Sequence, residues 1–184
     1  MQKRIVANAL LLPEVKKILS EGLTVTLPVT GNSMLPFIIG GRGSVVLQKP
    51  SAPLQKGEIV LAQIAPDSYV IHRIVDCRGG QIILMGDGNL SATEACCPEN
   101  VLGVVVKIMK AGKSMDCRTP LQRRKAALWY VLLPVRRSAI IHLPAHMPAY
   151  PHPQAAELRI ICLTESLNRN SLIRRTVING IPYA

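Results

Sequence analysis

The 184-residue chain has few aromatic residues, no long apolar run and no paired-cysteine motif. Aromatic side chains make up 3% of the residues, and no helix-turn-helix pattern or aromatic RNA-binding motif is visible, so we do not expect a nucleic-acid partner. No stretch approaches the roughly 20 apolar residues that span a bilayer. The five cysteines are odd in number and lack a Cys-x-x-Cys pair, which predicts reduced thiols and neither a disulfide framework nor a zinc ribbon.

A secretory signal is not expected either. Charged residues and Pro13 follow the short apolar run from Ile5 to Leu12, where a signal peptide would carry a small-residue cleavage site. The sequence therefore predicts a cytoplasmic location without a transmembrane segment.

Acidic residues are scarce in the second part of the chain. Residues 1–106 hold nine Lys or Arg against eight Asp or Glu, whereas residues 107–184 hold thirteen against three. The net charge of +11 is therefore concentrated in the second part. Chemistry in the first part needs no polyanion, and the basic excess belongs to a separate attachment surface or tail.

Apolar patterning predicts a mainly β fold, a compact antiparallel β domain with flanking N- and C-terminal helices. A helix is predicted over 13–21, with Pro13 in its first turn and Gly22 as its stop. Strands are predicted over 23–29, 45–47, 58–64, 69–75, 81–85 and 101–109. This pattern divides the chain into an N-terminal helical segment (1–22), a β domain (23–112) and a basic helical extension (113–184).

The extension begins with a predicted helix that carries apolar residues on one side and basic residues around them. The apolar residues are Leu121, Ala127, Leu128, Val131 and Leu132, and the basic ones are Arg123, Arg124, Lys125, Arg136 and Arg137. Pro134 is expected to kink this helix. Such a helix suits an anionic membrane surface, and it equally suits packing on the β domain with its charges solvated. Residues 144–153 read as an irregular linker and 154–168 as a final helix.

Three residues supply the types needed for nucleophilic catalysis. Ser33 lies in a turn limited by Gly31 and Pro36, His72 shares a strand face with apolar residues, and Asp87 lies in a turn between Gly86 and Gly88. A serine is a weak nucleophile until a base takes its proton, and a carboxylate can orient a histidine base. Taken singly, each is more often an ordinary turn serine, a core histidine or a turn aspartate. Together they predict a nucleophile, a base and an orienting acid.

Five short segments, in order, resemble the conserved boxes of S24/S26 serine peptidases. They are Gly31-Asn32-Ser33-Met34-Leu35-Pro36, Lys56-Gly57-Glu58-Ile59-Val60, Val70-Ile71-His72-Arg73-Ile74-Val75, Gly86-Asp87-Gly88-Asn89 and Leu102-Gly103-Val104-Val105. The likeness is greatest to the Ser-His branch of the type I signal peptidases. It covers about residues 22–109, and five boxes in one order are more specific than any one of them.

The resemblance implies a β peptidase domain of the signal peptidase and self-cleaving repressor type. It implies a serine endopeptidase that cleaves a polypeptide through an acyl-enzyme, with Ser33 as nucleophile, His72 as base and Asp87 as the acid that orients the base. Many signal peptidases have a hydroxyl residue at the position of Gly31. Oxyanion and substrate binding are therefore expected from Asn32, Ser33 and Met34.

No cofactor and no metal are implied. The histidines at 142, 146 and 152 do not suggest a metal site, because prolines interrupt any helix that would align them and no acidic ligand stands beside them. The alternative function is a non-catalytic or self-processing regulator of the S24 type, or a related protein that only binds peptides. That branch carries a DNA-binding domain and a lysine base, and neither is visible here.

Overall fold

The structure is a computed structural model. It describes the backbone of residues 4–6, 8–110, 112–141, 160–163 and 176–178, and the side chains of residues 12–110 and 112–138. The architecture is mainly an antiparallel β sheet with a few helices, which confirms the predicted fold class at that level.

Over the residues that the structure describes, the sheet contains eleven strands. They are β1 (Arg4–Val6), β2 (Val25–Pro28), β3 (Gly43–Gln48), β4 (Ile59–Ala65), β5 (Ser68–Arg78), β6 (Gln81–Met85), β7 (Glu94–Cys96), β8 (Val101–Lys110), β9 (Lys113–Asp116), β10 (Ile160–Leu163) and β11 (Thr176–Ile178). Their order is β1-β10-β11-β2-β3-β8-β4-β5-β6-β7, and β9 pairs with β8. The pairing of β11 with β2 is parallel, whereas the other pairs are antiparallel.

The six predicted strands are all present, because each carries enough β-branched or apolar residues to bury at least one face. The five short strands β1, β7, β9, β10 and β11 were not predicted. The predicted end of the β domain at residue 112 falls inside the hairpin that joins β8 to β9, so the sheet continues past it.

The first helix, α1 (Asn8–Ser20), begins five residues before the predicted start. Pro13 therefore lies inside the helix and not in its first turn, which corrects the prediction. Leu12, one residue before the predicted start, is buried in the same core as Val15 and Leu19. Gly22 ends the helix as predicted, at a positive φ of 79° that glycine adopts without a steric penalty. The N–H of the next residue, Leu23, donates a hydrogen bond to the Ile18 carbonyl.

Side chains alternate along β4 and β5 between two buried clusters on opposite faces of the sheet. One face of β5 contributes Ile71 to the larger cluster, which also contains the α1 side chains. The other face contributes Val70 and Ile74 to a second cluster with Leu84. The predicted alternation of this strand is thus confirmed, and neighbouring residues of β5 point to opposite sides.

Two short helices follow β9 in the chain, α2 (Pro120–Val131) and α3 (Leu133–Ile141). The single helix predicted for this region is therefore divided into two at Leu132, close to Pro134, where the sequence predicts a kink. The predicted final helix is wrong over Ile160–Leu163, which form a strand paired with β1 and β11. The rest of that prediction, and the linker at 144–153, lie outside the described residues. Among the residues described, no helix is long and apolar enough to cross a membrane.

Candidate active site

The Ser33 turn lies between β2 and β3 and is closed at its base. The N–H of Val29 donates to the Gly43 carbonyl at 3.0 Å, and the N–H of Gly41 donates to the Val29 carbonyl at 2.8 Å. The backbones of Gly31 and Gly40 pack so closely that a Cβ on Gly40 would overlap the Gly31 carbonyl. This contact fixes both ends of the turn and holds Ser33 half-buried between them.

The His72 ring meets the Ser33 hydroxyl directly. His72 lies on β5 and is 5% exposed, and its Nε2 is 3.0 Å from the Ser33 Oγ. The chain separation of 39 residues is therefore bridged by the fold, as predicted. The distance is within hydrogen-bonding range for a hydroxyl and an imidazole nitrogen.

The acid beside His72 is Glu94, a residue that sequence reasoning missed. Its Oε2 is 2.9 Å from the Nδ1 of His72, and the two side chains are 26% and 7% exposed. Because an ionised carboxylate only accepts hydrogen bonds, the proton of the neutral ring resides on Nδ1. The lone pair of Nε2 is then directed at the Ser33 hydroxyl.

Strand register explains this placement. Glu94 on β7 lies opposite Leu84 on β6, and Leu84 lies opposite Ile74 on β5. His72 is two residues before Ile74 and shares its face. The hairpin of β6 and β7 thus brings Glu94 to the side of the sheet that carries His72. One available signal was that Glu94 is the only acidic residue between Asp87 and Glu99.

The prediction that Asp87 orients His72 needs correction. Its two carboxylate oxygens accept hydrogen bonds of 2.7 Å each from the Nε and Nη2 of Arg73. Arg73 follows His72 on β5 and therefore points to the opposite face, where Asp87 meets it. Both groups are buried at 8% exposure, and a buried guanidinium requires a carboxylate partner. Asp87 is therefore committed to this ion pair.

The Asp87 turn nevertheless touches the site through its backbone. The Gly88 N–H donates to the Ser33 carbonyl at 2.7 Å. A Cβ on Gly86 would lie 2.5 Å from the Ser33 carbonyl oxygen and 3.1 Å from the His72 Nε2. Glycine at position 86 is what lets the turn pack against both residues.

The other predicted site residues flank the serine. Asn32 is exposed, and its carbonyl accepts the Leu35 N–H at 3.1 Å. The Met34 side chain is 1% exposed and belongs to the larger buried cluster, so it anchors the turn from below. Its contribution to oxyanion binding would come from its backbone N–H, and this role stays a prediction.

Helices α2 and α3 pack over the Asp87 turn. The indole Nε1–H of Trp129 and the Nη2–H of Arg136 both donate to the Asp87 carbonyl, at 2.7 and 2.9 Å. The guanidinium of Arg136 stacks 3.9 Å from the centre of the Trp129 ring. Burial lowers the pKa of Arg136, and the nearby Asp87 carboxylate acts in the opposite direction.

Comparison of the chain with protein-family models, with curated proteins and with solved structures finds no match. The function of the site is therefore inferred from its geometry. Hydrogen bonds join a hydroxyl, an imidazole and a carboxylate in that order.

Proposed function

We propose that the chain is a serine endopeptidase of the S24/S26 type, in which Ser33, His72 and Glu94 cleave a peptide bond through an acyl-enzyme. The observation that carries this proposal is the pair of contacts on either side of the His72 ring, 3.0 Å to the Ser33 hydroxyl and 2.9 Å to the Glu94 carboxylate. A serine requires an adjacent base, and a base is most effective when a third group orients it.

The first chemical step is acylation. As the Ser33 Oγ attacks the substrate carbonyl carbon, its proton passes to the His72 Nε2, and the electron pair of the carbonyl moves to oxygen. Glu94 stabilises the imidazolium that forms, because its negatively charged carboxylate accepts a hydrogen bond from the Nδ1–H, which stays on the ring. His72 then gives the Nε2 proton to the leaving amine, and the peptide bond breaks. A water molecule repeats the sequence on the acyl-enzyme and restores Ser33.

Backbone N–H groups in the Ser33 turn are the donors available to the oxyanion. We assign this role to the N–H groups of Ser33 and Met34, with the exposed Asn32 beside them, because these groups adjoin the nucleophile. Donors of this kind are worth roughly 10²–10³-fold in turnover when they are aligned with the developing charge.

Histidine is a better base here than lysine. An imidazole is largely neutral near pH 7 without assistance, whereas a lysine requires strong desolvation to lose its proton. Lys56, one of two lysines between Ser33 and Asp87, is exposed, with its ammonium 5.2 Å from the centre of the Tyr130 ring. It supplies a matched control for the base.

The test is covalent labelling with a fluorophosphonate, followed by cleavage of a mixed peptide library read by mass spectrometry. We expect the label on Ser33 and new peptide termini in the library. His72→Ala should abolish both, and Lys56→Ala should leave most of the activity. Labelling that survives in Ser33→Ala, or loss caused by Lys56→Ala with activity retained in His72→Ala, would overturn the assignment.

The same experiment addresses the alternative function. Mass spectrometry of the protein incubated alone detects cleavage of its own chain. Self-cleavage without library cleavage would indicate a self-processing regulator, and neither reaction in a folded protein would indicate a peptide-binding protein without catalysis.

A further inference from the structure

The helices α2 and α3 present two different faces. Their inner face carries Ala126, Trp129, Leu133 and Arg136, and it packs on the sheet and the Asp87 turn. The two helices form a rod that is interrupted at Leu132, where the Leu132 N–H still donates to the Leu128 carbonyl and the Arg136 N–H donates to the Leu132 carbonyl across the junction. Residues along this rod therefore keep a period of about 3.6.

The outer face of the rod is apolar and exposed. Leu121 and Leu128 are each 61% exposed, Val131 is 70% and Val135 is 63% exposed, and Leu132 lies between them at 39%. Their spacing places them along one side of a helix. Large apolar side chains concentrated on one exposed stripe mark a binding surface.

Two cations lie among these apolar side chains. Arg124 and Lys125 are exposed, and among the described residues neither side chain makes an ion pair or a hydrogen bond. The sequence contains no acidic residue from Cys117 to Ala156. The outer face thus combines exposed apolar side chains with positive charge, since Arg124 lies within one helical turn of both Leu121 and Leu128.

We infer that this outer face binds an anionic lipid surface. A helix with an exposed apolar stripe and flanking basic residues lies in the plane of a membrane interface, where the apolar side chains insert shallowly and the cations meet the headgroup charges. Charge complementarity favours this occupant over a second copy of the chain, since a copy would bring the same cations to the contact.

The structure also narrows which cations take part. Of the five basic residues that the sequence assigned to a membrane contact, three are engaged elsewhere. Arg123 donates to Gln55, Arg136 to the Asp87 carbonyl, and Arg137 to the Leu90 carbonyl. Arg124 and Lys125 remain for the lipid headgroups.

The test is sedimentation with vesicles of phosphatidylcholine and phosphatidylglycerol in a 3:1 ratio, compared with phosphatidylcholine alone, at low and high salt. The full-length Ser33→Ala protein is used, so that the result is independent of peptidase activity. We expect binding that needs phosphatidylglycerol and weakens with salt, because screening shortens the range of the attraction.

Paired variants separate the two contributions. Arg124→Gln/Lys125→Gln should weaken binding by up to about 30-fold, since each cation contributes up to roughly fivefold. The matched control Lys16→Gln/Lys17→Gln removes the same charge from the exposed side of α1 and should leave binding largely unchanged. Leu128→Gln/Val131→Gln should abolish binding while the melting temperature stays near that of the parent, because both side chains are exposed.

Three outcomes would overturn the inference. They are the absence of vesicle binding by the folded protein, equal binding to uncharged vesicles, and self-association that Leu128→Gln/Val131→Gln removes in the absence of lipid binding. The last result would assign the outer face to a second copy of the chain.

Discussion

The indole N–H of Trp129 donates a 2.7 Å hydrogen bond to the backbone carbonyl of Asp87, 42 residues earlier in the chain. The same Asp87 turn also packs on Ser33 and His72 through Gly86 and Gly88. The basic extension is therefore part of the support of the candidate active site and not only an appendage to it.

Trp129→Phe tests this support. The substitution keeps an aromatic ring beside Phe37, whose ring centre is 6.2 Å away, but removes the N–H. We expect a loss of about 1 kcal/mol in unfolding free energy, typical of one hydrogen bond, and slower fluorophosphonate labelling of Ser33. Urea denaturation and labelling rates measure the two effects. Tyr130→Phe on the same helix is the control, and equal effects of the two variants would contradict the prediction.

Glu94→Gln should reduce labelling and cleavage by at least about tenfold, because the amide no longer orients and stabilises the His72 ring as a base. The side chain is about a quarter exposed, so the melting temperature should change little. Steady-state kinetics and thermal denaturation distinguish the two effects. Unchanged turnover in Glu94→Gln would remove this residue from the mechanism.

Asp87→Asn should show the opposite pattern. It leaves the buried Arg73 guanidinium without a charged partner, and breaking a buried ion pair costs about 3–5 kcal/mol. We expect a marked fall in stability, measured by urea denaturation, with loss of activity only as the protein unfolds. Full stability combined with lost turnover would restore Asp87 to a catalytic role.

Gly86→Ala should separate Ser33 from His72. The new methyl group would lie 2.5 Å from the Ser33 carbonyl oxygen, which is backbone and cannot rotate away. Either the turn or the His72 ring must move, and we expect labelling of Ser33 to fall by at least about tenfold. Gly103→Ala is a useful comparison, because its Cβ would lie 3.0 Å from the end of the Leu19 side chain and no closer than 3.2 Å to a backbone atom, the Gln48 carbonyl oxygen. Wild-type labelling in Gly86→Ala would refute the close packing.

Cys117 should react slowly with iodoacetamide. Burial raises the pKa of its thiol from 9.0 to about 11, so little thiolate exists at pH 8. We expect alkylation at least about tenfold slower than at the exposed Cys77 and Cys97, read by peptide mapping. Because the folded pKa exceeds the unfolded value, this thiol's contribution to stability is complete below pH 9 and is lost as the pH rises through 11. Equal alkylation rates would show that Cys117 is accessible.

Sequence patterns were sufficient for the central strands and for the meeting of Ser33 with His72. Strands such as β4 and β5 bury their side chains almost continuously, so their apolar runs are readable without partners. The alternation of β5 also placed His72 and Arg73 on opposite faces correctly.

The orienting acid could not be read in the same way. Glu94 lies on a three-residue strand whose sequence, Glu-Ala-Cys, has no apolar period, so neither the strand nor its register was visible. Asp87 was assigned to His72 because a Gly-bounded turn can direct a carboxylate to either face of a sheet, and the sequence does not show which face. What decides between the faces is the buried charge of Arg73, a tertiary contact that spacing does not encode.

Strand β7 lies at one end of the strand order, and this position affects how the candidate active site loses activity. A short edge strand detaches by local opening at a smaller free-energy cost than a central strand such as β5, so its amides should exchange with solvent deuterium sooner. Each such opening withdraws the Glu94 carboxylate while the hydrogen bond between Ser33 and His72 persists. The molecule would then alternate between a three-member and a two-member site without unfolding, and conditions that fray this edge would reduce turnover before they reduce the amount of folded protein.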